Sequence, residues 1–283
     1  LSNVQQIEVV RGPSSLLYTN GTIGGIVNIV DNSIAQTDIE RLVKIGLETQ
    51  SVNGGDTQSI FYQDKVNNAN VTFAYKDSAF GNFDVPNGAI KHEDDLGYLS
   101  NSDFESESMK FGASTNGDWG YLGFSIANIE SLYGIPFHFE ELEDEHGEEE
   151  EGHDEHEGER IFSSTDSDKF DLRGSLNING NFLSSVDFFF RDSDYVLTEQ
   201  HAQEDEEHEE HSKGSTTFAN DSEEAGLIFD LSNDQLSQKV SLNFVDEDNS
   251  VRGGEAFMNP ASRDELTLGY FASRDFDVFH VDF

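Results

Sequence analysis

The sequence predicts an all-β protein whose strands form part of a transmembrane antiparallel β-barrel. Short segments along most of the chain alternate apolar and polar residues, which is the period of a β-strand with two different faces. Short polar turns alternate with long links between these segments, as in barrels that span a membrane. The chain contains no run of about 18 apolar residues, so a transmembrane helix is not expected.

The composition excludes several classes of function. The 283 residues include 16 Lys and Arg against 57 Asp and Glu, a net charge of −41 that repels nucleic acid and attracts cations. The 23 Phe and 8 Tyr favour an ordered chain. Cysteine is absent, which removes disulfides, thiolate metal ligands and cysteine nucleophiles.

Residues 1–33 differ in pattern from the rest of the chain. Two β-rich runs, at residues 7–10 and 26–30, flank a segment that is punctuated by glycine and proline. The pattern predicts a strand, a short helix or turn, and a second strand. A generic strand-turn-strand unit fits the composition equally well.

Alternation is clearest at residues 170–178. Phe170, Leu172, Leu176 and Ile178 share one face there, and Asp171, Arg173 and Asn177 share the other. Further strands are predicted at residues 43–49, 59–65, 71–76, 108–114, 121–129, 186–196, 225–231, 240–244, 266–272 and 279–283. The Phe-rich faces are expected to contact lipid and the charged faces to line a water-filled lumen. A soluble β-sandwich is the alternative.

The connections between strands predict a topology. Short turns are expected at residues 114–118 and 177–181, where Asn-Gly pairs favour hairpins. Long links are expected at residues 77–105, 130–166 and 192–216. Because antiparallel strands reverse direction at each turn, the long links should leave from one rim and the short turns from the other.

The segment from Ile7 to Val30 resembles the end of the plug domain of TonB-dependent receptors, where the family motif has the form IEVxRGPxSxLYGxGAIGGxVNI. The departures are Thr19, Asn20 and Thr22. The matching residues are Ile7, Glu8, Val9, Arg11, Gly12, Pro13, Leu17, Tyr18, Gly21, Ile23, Gly24, Gly25, Val27, Asn28 and Ile29.

The resemblance implies that residues 1–33 are the C-terminal end of a plug domain and that residues 34–283 are part of a barrel of about 22 strands. Such a barrel needs more chain than this, so a fragment of a longer protein is expected. The implied location is the outer membrane of a Gram-negative bacterium. The implied partners are outer-membrane lipid and TonB with its inner-membrane motor, whose contact box lies outside this sequence. In the plug end, Gly24 and Gly25 are expected to allow close backbone packing, and Glu8 and Arg11 to form an ion pair.

Two predicted extracellular loops, residues 138–160 and 199–213, have an unusual composition. They hold most of the nine histidines of the chain, interleaved with many carboxylates. Imidazole and carboxylate are ligands of zinc and, less selectively, of nickel, cobalt and Cu(II). A solvated acidic loop without a bound metal is the alternative. The candidate metal ligands are His138, Glu140, Glu141, His146, His153, Asp154, His156, His201, His208 and His211.

Four further segments resemble the barrel of zinc-uptake TonB-dependent receptors: YGIP at residues 133–136, KFDLRG at 169–174, TTF at 216–218 and GGEAFMNP at 253–260. This resemblance implies uptake of a divalent metal, with Zn²⁺ as the transported ligand and no prosthetic cofactor. No Gly-x-Ser-x-Gly or His-Glu-x-x-His motif is present, so an enzyme is not expected. The alternatives are a receptor for a siderophore, haem or another metal complex, and a metal-binding surface barrel that transports nothing.

Overall fold

The computed structural model describes residues 4–11, 25–88, 97–136, 160–202, 215–233, 235–254, 256–276 and 279–282. Every regular element within these ranges is a β-strand. None of the described residues form a helix long and apolar enough to cross a membrane. The all-β prediction is therefore confirmed.

Eleven strands of the described residues form one antiparallel sheet, in the order β15-β14-β13-β12-β11-β10-β9-β8-β5-β4-β3. The pairs β1–β2 and β6–β7 form two further small sheets. The strands are β1 (Val4–Arg11), β2 (Gly25–Asp31), β3 (Leu42–Gln50), β4 (Gly55–Val66), β5 (Ala69–Phe80), β6 (Phe83–Asp84), β7 (Tyr98–Leu99), β8 (Phe104–Gly117), β9 (Gly120–Gly134), β10 (Arg160–Asn177), β11 (Ser185–Ala202), β12 (Thr216–Asp230), β13 (Ser237–Arg252), β14 (Ala261–Phe276) and β15 (Phe279–Asp282).

Each predicted strand is present, but most are longer than the alternation indicates. Strand β12 begins at Thr216 although its apolar alternation begins at Ala225, and β10 begins at Arg160 although its alternation begins at Phe170. The added residues lie at the end of the sheet from which the long links leave. Polar residues occupy both faces there, so a strand continues without a hydrophobic period to mark it.

The register gives the large sheet two different faces. Leu172 lies opposite Phe124 on β9 and Phe190 on β11, and Phe170 contacts both of these rings. Asp171 and Arg173 lie on the other face, where they form an ion pair. The predicted separation of Phe170, Leu172 and Leu176 from Asp171, Arg173 and Asn177 is confirmed. We call these the apolar face and the polar face.

Exposure on the two faces is the reverse of that in a water-soluble sheet. On the apolar face, Leu47 is 80% exposed and Leu268 is 75% exposed, and large apolar side chains continue across the strands between them. On the polar face, Ser241 and Asn243 are fully buried. An exposed apolar band of this extent is typical of contact with lipid or a protein partner and disfavours the soluble sandwich.

The apolar band crosses the strands obliquely. The row of paired residues through Leu268 and Leu227 reaches β4 at Val66. On β3, Leu47 is 80% exposed and lies opposite Gln58 of β4, which is further toward the long-link end than Val66. Strands that are inclined to the plane of their apolar band are a property of membrane-spanning barrels.

Residues 31–41, which we call the strap, connect β2 to β3. The part of the strap before Arg41 lies on the polar face, and Arg41 reaches Asp64 on the other face. Lys110 of β8 forms an ion pair with Asp31, with 2.6 Å between Nζ and Oδ2. Partial burial would raise the pKa of Asp31, but the hydrogen bond and charge of Lys110, together with hydrogen bonds from Ser33, lower the pKa below its ordinary value. This ion pair joins the end of β2 to the polar face of the large sheet, which we call the wall.

Gly112 of β8 is predicted to be essential for the close contact between the strap and the large sheet. A Cβ atom at this position would lie 1.8 Å from the carbonyl oxygen of Ser33, so Gly112→Ala should lower the free energy of unfolding by about 1–3 kcal/mol. Gly180→Ala is the control, because its Cβ would meet no atom closer than 3.1 Å. Denaturant unfolding of both variants measures the difference, and equal stability would show that the strap does not sit as closely as described.

Strands β1 and β2 pair antiparallel, as the two β-rich runs predict. Ile7 lies opposite Ile29 and Val9 opposite Val27. A Cβ atom on Gly25 would lie 2.7 Å from the Val10 carbonyl oxygen, which confirms the close backbone approach expected at this residue. Gly24 lies outside the described residues. The expected pairing of Glu8 with Arg11 is wrong: three residues apart on one strand they lie on opposite faces, and Glu8 accepts a hydrogen bond from Asn28 at 2.9 Å. The division of the chain at residue 33 into plug and barrel remains a prediction.

Candidate functional site

Most of the predicted metal ligands lie outside the described residues. These are His138, Glu140, Glu141, His146, His153, Asp154, His156, His208 and His211. The backbone of His201 is described and pairs with Ile161 near the end of β11. No group of three or more His, Asp or Glu is placed to hold a metal ion among the residues that the structure describes. Metal binding by the two loops therefore stays a prediction.

The strands that flank these loops have their loop-side ends on the same side of the sheet. Arg160, at the start of β10, lies opposite Ala202 at the end of β11, and Glu199 lies opposite Thr216 at the start of β12. The short connection between Asn177 and Ser185 lies at the opposite ends of β10 and β11. This placement agrees with the predicted topology, in which both loops leave from one rim.

A row of carboxylates borders the apolar band on the side of the long links. Every strand of the large sheet from β5 to β14 contributes at least one of them to the apolar face. We call this row the acidic belt. Its members are Asp77, Glu107, Glu130, Asp166, Asp168, Asp192, Asp194, Asp221, Glu223, Asp246, Asp248 and Asp264.

Positive charge in these strands lies mainly on the opposite face. Lys110, Arg173, Arg191 and Arg263 are on the polar face, where each forms an ion pair with a carboxylate. Within the described residues, no member of the acidic belt pairs with Lys or Arg. Like charges lie directly across from each other instead, which destabilises a sheet.

A shallow trough of about 550 Å³ lies within this belt. One wall is the row Asp77, Glu107, Glu130 and Asp166, and the other includes Glu105. Both rows belong to the apolar face. The belt was not predicted from the sequence, although most of its strands show an acid two residues beyond an apolar residue, as in Phe244 and Asp246.

Neutralising one belt residue is predicted to stabilise the protein. Asp221 lies between Asp194 and Asp248, so Asp221→Asn should raise the free energy of unfolding by about 0.2–1 kcal/mol at low salt. Glu224→Gln on the opposite face of β12 is the control, because it breaks the 2.9 Å ion pair with Arg191 and should not stabilise. Unfolding in detergent at low and high salt measures both variants. A gain that persists at high salt would contradict an electrostatic cause.

The fold is shared with solved structures of transporters. The iron transporter FrpB from Neisseria meningitidis (F3-3 variant) superposes with a TM-score of 0.74 at 13% identity, over 99% of this chain and 46% of that one. The chain has the fold of these transporters. The F5-1 variant of FrpB in its apoprotein form gives a TM-score of 0.67 at 12% identity over 99% of this chain. BauA, the ferric preacinetobactin receptor from Acinetobacter baumannii, gives 0.53 at 11% identity over 97% of this chain.

The similarity extends over nearly the whole chain, but the chain spans about half the length of the structures it matches. No protein-family model matches the sequence. At these identities the comparisons establish the fold, and the specific ligand must be argued from the residues of this chain.

Proposed function

We propose that the chain is part of a TonB-dependent receptor in the outer membrane of a Gram-negative bacterium, and that this receptor takes up a metal without catalysing a reaction. The observation that carries the proposal is the shared fold, together with an apolar band that is exposed over the whole large sheet. Outer-membrane lipid would cover this band. TonB and its inner-membrane motor would supply the energy, acting on the plug that residues 1–33 complete.

Zinc is the ligand that we propose from the sequence. Imidazoles and carboxylates are concentrated in the two loops, which leave from one rim of the sheet. Capture is assigned to these loops because no cluster of three or more His, Asp or Glu that could hold a metal ion is found among the described residues. Zn²⁺ would be the transported ligand and not a resident cofactor.

An iron complex is the second candidate. The similar solved structures are described as an iron transporter and a ferric preacinetobactin receptor, which favours iron or a ferric siderophore. A receptor of this kind would bind the organic part of the complex, and the loop histidines would assist without direct ligation of the metal.

Uptake by the complete receptor distinguishes the two candidates. Cells that lack their own zinc and iron receptors would express this receptor, with radioactive zinc supplied alone or in competition with ferric siderophores, haem, nickel and copper. Zinc uptake that requires TonB and resists the iron complexes is the expected result. Uptake of a ferric complex instead of zinc would support the second candidate, and accumulation of neither would contradict a metal receptor.

A further inference from the structure

The strap is bound to the wall by hydrogen bonds from buried side chains to its backbone. The carbonyl oxygen of Ser33 accepts from Thr72 Oγ1 at 3.0 Å, and that of Ala35 accepts from Ser114 Oγ at 2.6 Å. Both donor side chains are buried. Alternate carbonyls of the strap therefore point at the wall, as in an extended segment laid along a surface.

Asn70 of β5 holds the next part of the strap. Its Nδ2 donates to the carbonyl oxygen of Thr37 at 3.1 Å, and its Oδ1 accepts from the backbone nitrogen of Ile39 at 3.3 Å. Asn70 is almost completely buried, and it also donates to Asn116 at 3.1 Å. One side chain thus satisfies two backbone groups of the strap and is itself held by the wall.

The end of the strap is fixed by charged groups of β4. Arg41 contacts Asp64 through Nε at 2.8 Å and Nη2 at 2.7 Å, and Lys65 pairs with Asp38. The carbonyl oxygen of Glu40 accepts from Gln63 Nε2 at 3.0 Å. Wall contacts therefore continue along the strap until β3 begins.

The wall is also shaped to receive the strap. Ser33 lies over Gly112, and Ile34 lies over Gly123, where an added Cβ would come within 2.6 Å of Ile34 Cγ2. Backbone and side chain of the strap occupy the space that these two glycines leave. Larger side chains at either position would lift the strap from the sheet.

The β1–β2 sheet is attached very differently. Its strands pair with each other, and within the described residues neither joins the large sheet. On one of its faces the apolar residues Ile7, Val9, Val27 and Ile29 are exposed and so are not packed on the wall. The apolar residues Val10, Ile26 and Val30 of its other face are half-buried. The ion pair of Asp31 with Lys110 joins the end of β2 to the wall, but both side chains are partly exposed, and pairs of this kind contribute little to stability.

We propose that the strap stays bound to the wall during transport, and that movement of the plug is confined to residues before Asp31. This inference rests on the proposed function, because it assigns a fixed anchor to a plug that TonB moves. The buried hydrogen bonds of residues 33–39 make the strap part of the wall. We assign the movement to the β1–β2 sheet because, among the described residues, it contributes no strand to that wall.

A disulfide between the strap and the wall tests the first half of the proposal. The chain has no cysteine, so Ala35→Cys with Ser114→Cys introduces a single pair once other cysteines of the complete receptor are replaced. We expect the rate of metal uptake to be the same before and after oxidation. Loss of uptake on oxidation, restored by reduction, would show that the strap must leave the wall. If this pair does not oxidise, Thr37→Cys with Asn70→Cys tests the same contact.

Thiol labelling in energised cells tests the second half. Val30→Cys before the boundary and Ala35→Cys within the strap would be treated with a maleimide, with and without TonB, in the presence of the transported metal. We expect TonB to accelerate labelling of Val30→Cys several-fold and to leave Ala35→Cys, which is buried against the wall, unchanged. Acceleration at both positions, or at neither, would overturn the inference.

The two tests separate the inference from the proposed function. A reduced double-cysteine receptor that takes up no metal would contradict the proposed function, whatever the labelling shows. A receptor that takes up metal in its reduced form and fails only when oxidised would contradict the strap inference alone.

Discussion

Leu227→Arg is expected to lower the free energy of unfolding in lipid by about 2–4 kcal/mol, because it places a charge near the middle of the apolar band that we propose faces lipid. Leu227 lies on β12 between Phe188 and Leu242, and all three side chains belong to the apolar face. Denaturant titration of the complete protein in lipid vesicles measures the loss.

Asp221→Arg is the matched control, because it makes an arginine on the same face of the same strand but within the acidic belt. The new charge would lie between Asp194 and Asp248, so we expect no loss of stability and a small gain. Equal destabilisation by the two arginines would contradict a lipid boundary between these positions. Tolerance of both would indicate that water, and not lipid, covers the apolar face.

The presence of the strands and the face on which each side chain lies could be predicted from the sequence, because the alternation of apolar and polar residues determines both. In β10 the alternation of Phe170 and Leu172 with Asp171 and Arg173 fixes which side chains lie on the apolar face, and the observed register follows it. The same signal fails where both faces are polar. The first residues of β10 and β12 therefore looked like loop, although they continue the ladder of hydrogen bonds.

The strap could not be predicted because it is held by backbone carbonyls. Thr72, Asn70 and Ser114 appear in the sequence as ordinary polar strand residues, and only the folded sheet brings them to residues 33–39, which are distant in sequence. The acidic belt could not be predicted for a different reason. Each carboxylate is visible in the sequence, but the strand register is needed to show that Asp194, Asp221 and Asp248 form one row.

Removing the loop histidines is expected to have the largest effect on ligand binding if the receptor takes up zinc. Replacing His138, His146, His153, His156, His201, His208 and His211 with Ala in the complete receptor should lower zinc affinity by more than about 100-fold, because changes to groups that only orient metal ligands already cost 10- to 100-fold. Calorimetric titration with zinc measures the change. His92→Ala with His280→Ala is the control, since neither residue belongs to the two loops.

The pH dependence of zinc binding separates histidine ligation from simple attraction by the acidic loops. Protonated imidazole cannot bind a metal, so affinity should fall as the pH drops below about 6.5, the ordinary pKa of histidine. Carboxylates stay ionised until the pH approaches about 4, so an acidic loop that only attracts cations would keep its affinity through this interval. The variant without the seven loop histidines should accordingly lose the pH dependence between about 5 and 7 together with its affinity. An unchanged affinity and pH profile in this variant would identify the two loops as solvated acidic surface and would favour the iron-complex receptor.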